Sequence, residues 1–294
     1  MIAVDWGTSS FRAYRLDAAG KVLERREAAA GILTVRDGAF GATLLAQIGD
    51  WLGAGESSVV MSGMIGSRQG WKEAPYAFTP AGVDEITKAM ITVSFEGQAE
   101  VRIAPGVMHR TADGFHDVMR GEETQILGAL DTLGAGNHRV CLPGTHSKWA
   151  MVQSGRITAF RTHMTGEVFA LLRSQSILAR TIDPDAAFDE DAFRTGVMRS
   201  REGSGLLHHL FEVRSQYLAD ALTQSASGDY LSGVLIGHEL RAEAPDSLVN
   251  LLGSSALSDR YATACDALGL PSRRLDPDAV VAGLHRLASL GSTP

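Results

Sequence analysis

The spacing of apolar and polar positions changes several times along the chain, and each change marks an element. Residues 2–4 form a short apolar run closed by Asp5, Gly7-Thr8-Ser9-Ser10 breaks it, and 11–16 resume it. That pattern predicts strand, turn, strand. A second turn at Asp17-Ala18-Ala19-Gly20 and a third strand over 21–26 complete an antiparallel meander. The period then lengthens: Phe40, Leu44, Leu45, Ile48, Trp51 and Leu52 recur at helical spacing, and 58–61 follows as a buried strand. Three meandering strands, a helix and a further strand form the opening of a ribonuclease-H-like layer.

Downstream, 101–103 reads as a strand, and a helix starts after Gly121 with Ile126, Leu127 and Leu130 on its packed face. Strands over 137–142 and 156–161 precede a helix beginning near Thr165. Residues 192–222 are helical in two pieces broken at Gly203-Ser204-Gly205. A helix over 229–242 carries Gly233 and Gly237 four apart, the spacing of close helix packing. A buried strand over 247–252, tipped by Gly253, then leads to helices over 256–268 and 278–290.

One arrangement occurs twice. Strand, hydroxyl-bearing turn and returning strand stand at 2–16 and again at 140–152, the second turn being Gly144-Thr145-His146-Ser147-Lys148. The second copy lacks the acid, with Cys141-Leu142-Pro143 where the first has Val4-Asp5-Trp6. At 294 residues the chain exceeds what one core usually organises. The expected fold is therefore α/β, two ribonuclease H-like domains with an interdomain cleft, over 1–130 and 131–294, the last helix free to pack back on the first domain.

Composition narrows the function classes. With 27 Lys plus Arg against 34 Asp plus Glu, a net charge of -7 argues against nucleic acid or an anionic membrane as the main partner. Two cysteines, Cys141 and Cys265, form no metal pattern or disulfide framework. No run of about 18 apolar residues occurs, so a soluble, cytoplasmic protein is expected. Association into a homodimer is left open. There is no GxxxxGK[ST], GxGxxG, HExxH or GxSxG motif, which removes P-loop, dinucleotide, zincin and nucleophile-elbow chemistry.

Four stretches remain as candidate chemistry. The turn from Gly7 to Ser10 offers backbone N–H groups and hydroxyls to a phosphate, with Asp5 placed to hold magnesium through water; a plain hairpin explains the same residues. The glycine-rich segment 62–76 carries Arg68, Trp71, Lys72, Glu73 and Tyr76 at a strand end, where ligands gather in open α/β sheets. Arg68 is suited to pair with a carboxylate, and a solvated surface loop is the alternative. Glu122 and Glu123 in a first helical turn either offset the helix dipole or supply a general base. Thr165, Gly166 and Glu167 either cap a helix or offer N–H donors to a ligand.

Together these stretches resemble the sugar kinases of the actin, Hsp70 and hexokinase superfamily, and most closely the 2-dehydro-3-deoxygalactonokinase family. The carriers are Val4 through Arg12, Ser62-Gly63 through Arg68 with Trp71 to Tyr76, Met119 through Gly128, Leu142 through Trp149, Thr162 to Glu167, and Leu252-Gly253-Ser254-Ser255 through Leu268. The resemblance implies ATP-dependent phosphorylation of the terminal (6-) hydroxyl of 2-dehydro-3-deoxygalactonate in galactonate breakdown, with ATP and Mg2+. It implies Asp5 as the metal's partner and ATP held by Gly7, Thr8, Ser9, Ser10 and Arg12 on one side. Gly144, Thr145, His146, Ser147, Lys148 and Gly253 would hold it on the other. Ser62, Gly63, Arg68, Trp71, Glu73, Tyr76 and Thr165 would face the sugar acid. Glu122 stands where related kinases keep a catalytic aspartate, with Glu123 beside it. A kinase for another aldonate or sugar, or a regulatory ATP-binding protein of the same fold, is the alternative.

Overall fold

The computed structural model describes residues 1–94, 99–243 and 247–290. The chain forms two compact units, one of Met1–Asn137, Ala150–Phe160 and Asp276–Pro294, the other of His138–Trp149 and Arg161–Leu275.

In the first unit the strands are β1 (Ile2–Trp6), β2 (Phe11–Leu16), β3 (Val22–Ala28), β4 (Ser58–Ser62), β5 (Tyr76–Phe78), β6 (Ile91–Val93), β7 (Glu100–Ile103), β8 (Gly106–Arg110) and β9 (His116–Met119). The helices are α1 (Phe40–Gly53), α2 (Val83–Lys88) and α3 (Glu122–Leu133). The main sheet has the order β3-β2-β1-β4-β7-β6. Its centre, β1-β4-β7, is parallel and its flanks are antiparallel. Central strands buried on both faces require continuous apolar residues, which is why Ile2-Ala3-Val4 and Val59-Val60-Met61 lie wholly within the core. The β3 edge is mostly charged and exposed, as an unpaired edge should be. Trp6, Phe11, Phe40, Leu44, Ile48 and Trp51 fill the space between this sheet and α1.

The short strands β5, β8 and β9 make a separate three-stranded sheet. With α2 and β6 they were not anticipated, because three to six residues carry too little periodicity to register. The closing helix, Ala279–Leu290, lies against α3 so closely that a Cβ on Gly283 would meet the Thr124 carbonyl at 1.9 Å. This contact fixes α3 and the acidic turn at its start.

A five-stranded sheet is formed by β10 (Asn137–Leu142), β11 (Ser147–Gln153), β12 (Arg156–His163), β13 (Val249–Leu251) and β14 (Ser272–Arg274), in the order β12-β11-β10-β13-β14. The helices of the second unit are α4 (Thr165–Gln175), α5 (Glu190–Arg199), α6 (Leu206–Leu218), α7 (Gln224–Glu243) and α8 (Ser255–Leu268). Helix α7 starts at Gln224, earlier than its periodicity indicated, and most of its 20 residues are buried. A helix buried all round has no polar stripe to mark its ends. It crosses α5 at Gly233, where a Cβ would stand 2.0 Å from the Phe193 carbonyl oxygen, the close packing expected of its glycine pair. Among the described residues no helix is long and apolar enough to cross a membrane.

Candidate active site

Strand register sets the floor of the site in the first unit. On the central strands Asp5 pairs with Arg12 on one side and with Ser62 on the other, so these three residues form a row across β2, β1 and β4. Arg12 Nη1 lies 3.3 Å from Asp5 Oδ2. Burial pushes the Asp5 carboxyl above its ordinary range, and the Arg12 charge works against that shift. The Ser62 hydroxyl is fully buried and has no hydrogen-bond partner among the described residues.

The Gly7–Ser10 turn is closed by the Gly7 N–H donating to the Ser10 carbonyl at 2.9 Å, and Thr8 and Ser9 at its tip are exposed. It is braced from behind. The N–H groups of Ile32 and Leu33 donate to the Gly7 and Thr8 carbonyls at 3.0 and 3.2 Å, and the Trp6 indole holds Ala30 through its carbonyl at 2.8 Å. A Cβ on Gly31 would sit 2.3 Å from Ser9 backbone, so only glycine admits the brace. Sequence reasoning missed Gly31, which lies in the featureless run Ala28-Ala29-Ala30-Gly31.

Two further glycines bring the acidic helix to this floor. Gly63, just past β4, has φ 94° and ψ −157°, a region essentially reserved for glycine, and a Cβ there would stand 2.8 Å from the Trp6 carbonyl oxygen. Gly121, at φ 105°, rests on it, a Cβ at 121 lying 3.2 Å from the Gly63 Cα. The start of α3 is therefore packed directly beside the strand end that carries Asp5.

The two glutamates of that start differ. Glu123 is fully buried, with its carboxyl accepting the Gly121 N–H at 2.7 Å and the Thr124 hydroxyl at 2.9 Å. Burial, helped by the neighbouring Glu122 charge, pushes it up to about 8. It is a capping group shut off from ligands. Glu122 is half-buried and accepts the Arg120 N–H at 3.0 Å, leaving it the acid of the pair with access to solvent. Because the folded carboxyl of Glu123 titrates above its unfolded value of 4.5, its contribution is favourable below that value and is lost as pH rises towards 8. Glu123→Gln is expected to match or exceed the parent's Tm at pH 8, the difference narrowing towards pH 5. Thermal melts across that range check it; a variant less stable at pH 8 than at pH 5, relative to the parent, contradicts the assignment.

Segment 62–76 contains one tight helical turn, Met64–Gly66. Arg68 is 85% exposed and pairs with Glu73 at 3.0 Å. Trp71 packs against the first core, and Tyr76 lies half-buried on β5 under the Arg120 guanidinium, 4.5 Å from its ring. Arg120 also donates to the Ala74 carbonyl at 2.9 Å, clamping the segment from inside. The arginine was in plain view within Met119-Arg120-Gly121, but nothing in its spacing pointed to the segment it holds.

In the second unit the Gly144–Lys148 turn has exposed Thr145 and His146 at its tip, while Ser147 and Lys148 are buried at its foot. Helix α4 presses on it: the Glu167 N–H donates to the Thr145 carbonyl at 3.0 Å, His146 pairs with the Glu167 carboxylate, and a Cβ on Gly166 would meet Gly144 oxygen at 2.5 Å. The Glu167 N–H is thus engaged with the turn itself. The Thr165 hydroxyl donates to Glu239. Gly253 packs against Pro143, a Cβ there falling 3.4 Å from the Pro143 oxygen. Beside the turn opens a cavity whose wall includes Gly144, Phe169, Ile182, Gly228, Leu257 and Arg260. The Arg260 guanidinium is held by Asp229 at 2.9 Å and lies over the Phe188 ring.

This combination of hydroxyl turns and a carboxylate-bearing helix start can be compared with known proteins. The sequence profile of the family described as 2-keto-3-deoxy-galactonokinase matches residues 5–287. The chain belongs to this family. It is 36% identical to the 2-dehydro-3-deoxygalactonokinase of Escherichia coli (strain K12), over 98% of this chain and 97% of that protein. It is 40% identical to the "Probable 2-dehydro-3-deoxygalactonokinase DgoK1" of Rhizobium meliloti (strain 1021), over 97% and 95%. A crystal structure from Sinorhizobium meliloti, provisionally designated the same kinase, superimposes with TM-score 0.90 at 38% identity, covering 98% of both chains. The activator of 2-hydroxyisocaproyl-CoA dehydratase from Clostridium difficile, solved with bound ADPNP, matches with TM-score 0.51 at 11% identity, covering 98% and 94%. That match speaks to fold alone, a mixed α/β chain of two compact units.

Proposed function

We propose that the protein transfers the γ-phosphoryl group of ATP to the terminal (6-) hydroxyl of 2-dehydro-3-deoxy-D-galactonate, as a cytoplasmic step of galactonate breakdown. Besides family membership, one observation carries this reading: the contact of Gly121 on Gly63 packs the helix start bearing Glu122 beside the strand end bearing Asp5. An acid able to receive a proton and an acid able to hold a metal ion are thereby kept on one rigid floor.

The donor set fits magnesium. A single carboxylate with the Ser62 hydroxyl next to it, unpartnered among the described residues, matches an ion that keeps most of its waters and takes its other ligands from phosphate. When bound, the ion would offset charge on the phosphates. The chain's own groups do the rest. In the first unit the Gly7–Ser10 turn with Arg12, and in the second the Gly144–Lys148 turn, each offer donors to phosphate oxygens, and the cavity beside Gly144 and Leu257 takes the adenosine. Arg68, which reaches solvent, receives the substrate carboxylate in exchange for Glu73, with Trp71 and Tyr76 lining the same segment. Glu122 accepts the proton of the terminal hydroxyl as its oxygen bonds to the γ-phosphorus. The bond from that phosphorus to the bridging oxygen breaks, and ADP leaves.

Incubation with magnesium-ATP and a panel of 2-keto-3-deoxy acids, following ADP, tests the reading. Release is expected to be fastest with 2-dehydro-3-deoxygalactonate. A higher kcat/KM for another aldonate would reassign the substrate, and the absence of acid-dependent ADP would leave a non-catalytic nucleotide binder.

A further inference from the structure

The pair His238-Glu239 fits no metal or nucleophile motif, yet Glu239 stands at the centre of a buried polar cluster of the second unit. It lies on buried α7 and is 3% exposed. Its Oε1 accepts the Trp149 indole N–H at 2.7 Å, and its Oε2 accepts the Tyr261 hydroxyl at 2.8 Å and the Thr165 hydroxyl. The Tyr261 hydroxyl in turn meets the Ser147 hydroxyl at 2.9 Å.

Each of these partners belongs to a wall of the Gly144–Lys148 turn. Ser147, where the turn ends, and Trp149 both lie on β11. Thr165 begins α4, whose next residues brace Gly144 and Thr145, and Tyr261 brings in α8. One carboxyl group thus ties β11, α4 and α8 to the rigid interior of α7. An acid placed behind a phosphate turn adds nothing to the attraction for a phosphate, so its contribution is geometric.

We infer that Glu239, acting through Tyr261 and Thr165, is a positioning residue for the nucleotide's phosphates, holding the second turn in its binding conformation before ATP arrives. This rests on the kinase reading above. Preorganised donors gain affinity because the turn need not be ordered on binding.

Tyr261→Phe removes only the hydroxyl that joins Ser147 to Glu239. Glu239→Gln keeps an acceptor for Trp149 and can donate to the two hydroxyls, which turn to accept, whereas Glu239→Ala leaves all three donors without their acceptor. Steady-state kinetics and calorimetric titration with a non-hydrolysable ATP analogue are compared across the set, with melts to confirm folding. Tyr261→Phe and Glu239→Ala are expected to raise the KM for ATP and the analogue Kd about tenfold, the size of one lost hydrogen bond to a charged acceptor. The KM for the sugar acid stays within about twofold, and Glu239→Gln recovers much of the loss. Unchanged analogue affinity in Tyr261→Phe, with the parent binding normally, overturns the inference alone. So does an equal rise in both KM values, the mark of general loosening. A parent protein that binds no analogue overturns the kinase reading and this inference with it.

Discussion

Glu122→Gln is expected to lower kcat by about a hundred- to ten-thousandfold, the span that a positioned general base contributes, while the KM for ATP and the Tm hold near the parent's. Glutamine is the same size and keeps an oxygen to accept the Arg120 N–H, the 3.0 Å contact that orients the side chain. What it loses is the capacity to take a proton. Stopped-time ADP assays at saturating sugar acid, with parallel melts, give the measurement. Phosphoryl transfer proceeds through a loose transition state, in which alignment does most of the work, so the lower end of that span is the stringent threshold. A variant that keeps more than about a hundredth of the parent's turnover removes Glu122 from the proton's path. Glu123 does not stand ready to replace it: its carboxyl is wholly buried, committed to Gly121 and Thr124, and held up to about 8 by that burial. The two acids are adjacent in sequence and opposite in role, since a helix turns about 100° per residue and sends one into the core and the other to its margin.

How far such roles are legible before folding depends on whether a residue acts through its neighbours in sequence or through distant ones. The meander, the helix over 40–52 and the repeated strand-turn-strand units are local patterns, and all appear as read. The Gly7–Ser10 turn and Glu122 are likewise visible because turn chemistry and helix starts are written in consecutive residues. The supports are not. Gly31 matters because its hydrogen takes the place of a side chain that would strike Ser9, and Glu239 because it gathers Trp149, Thr165 and Tyr261 from three other elements. Neither has a spacing rule, since the partners are 22 to 90 residues away from Glu239 in the chain. The short strands β5, β8 and β9 pair mainly with one another, so their stability is tertiary and their sequences are unremarkable in isolation. Glu122 and Glu123 could be told apart only by packing, which is a property of the helix face and of the closing helix seated on it.

The largest effect on the nucleotide side is expected at Asp5. Asp5→Asn preserves the shape of the side chain and an oxygen for Arg12, 3.3 Å away, but removes the charge that would hold magnesium through water. The expected outcome is a fall in kcat/KM for ATP of roughly a hundredfold or more, since a metal ion supplies several kcal/mol of charge stabilisation to the transferring phosphoryl group, with a rise in the magnesium concentration needed for half-maximal rate. Stability should move the other way or not at all. Burial raises the folded carboxyl of Asp5 above its unfolded value of 3.8, so the ionised form costs stability at neutral pH and a neutral asparagine relieves that cost. Loss of activity with an undiminished Tm therefore separates a metal-holding role from a structural one. If the variant is slow yet shows the parent's magnesium dependence, the ion is not held here, and Asp5 acts instead by fixing Arg12 over the first phosphate turn. That outcome would still leave the row Arg12, Asp5, Ser62 as the floor of the site, because it is set by strand register and not by the ion.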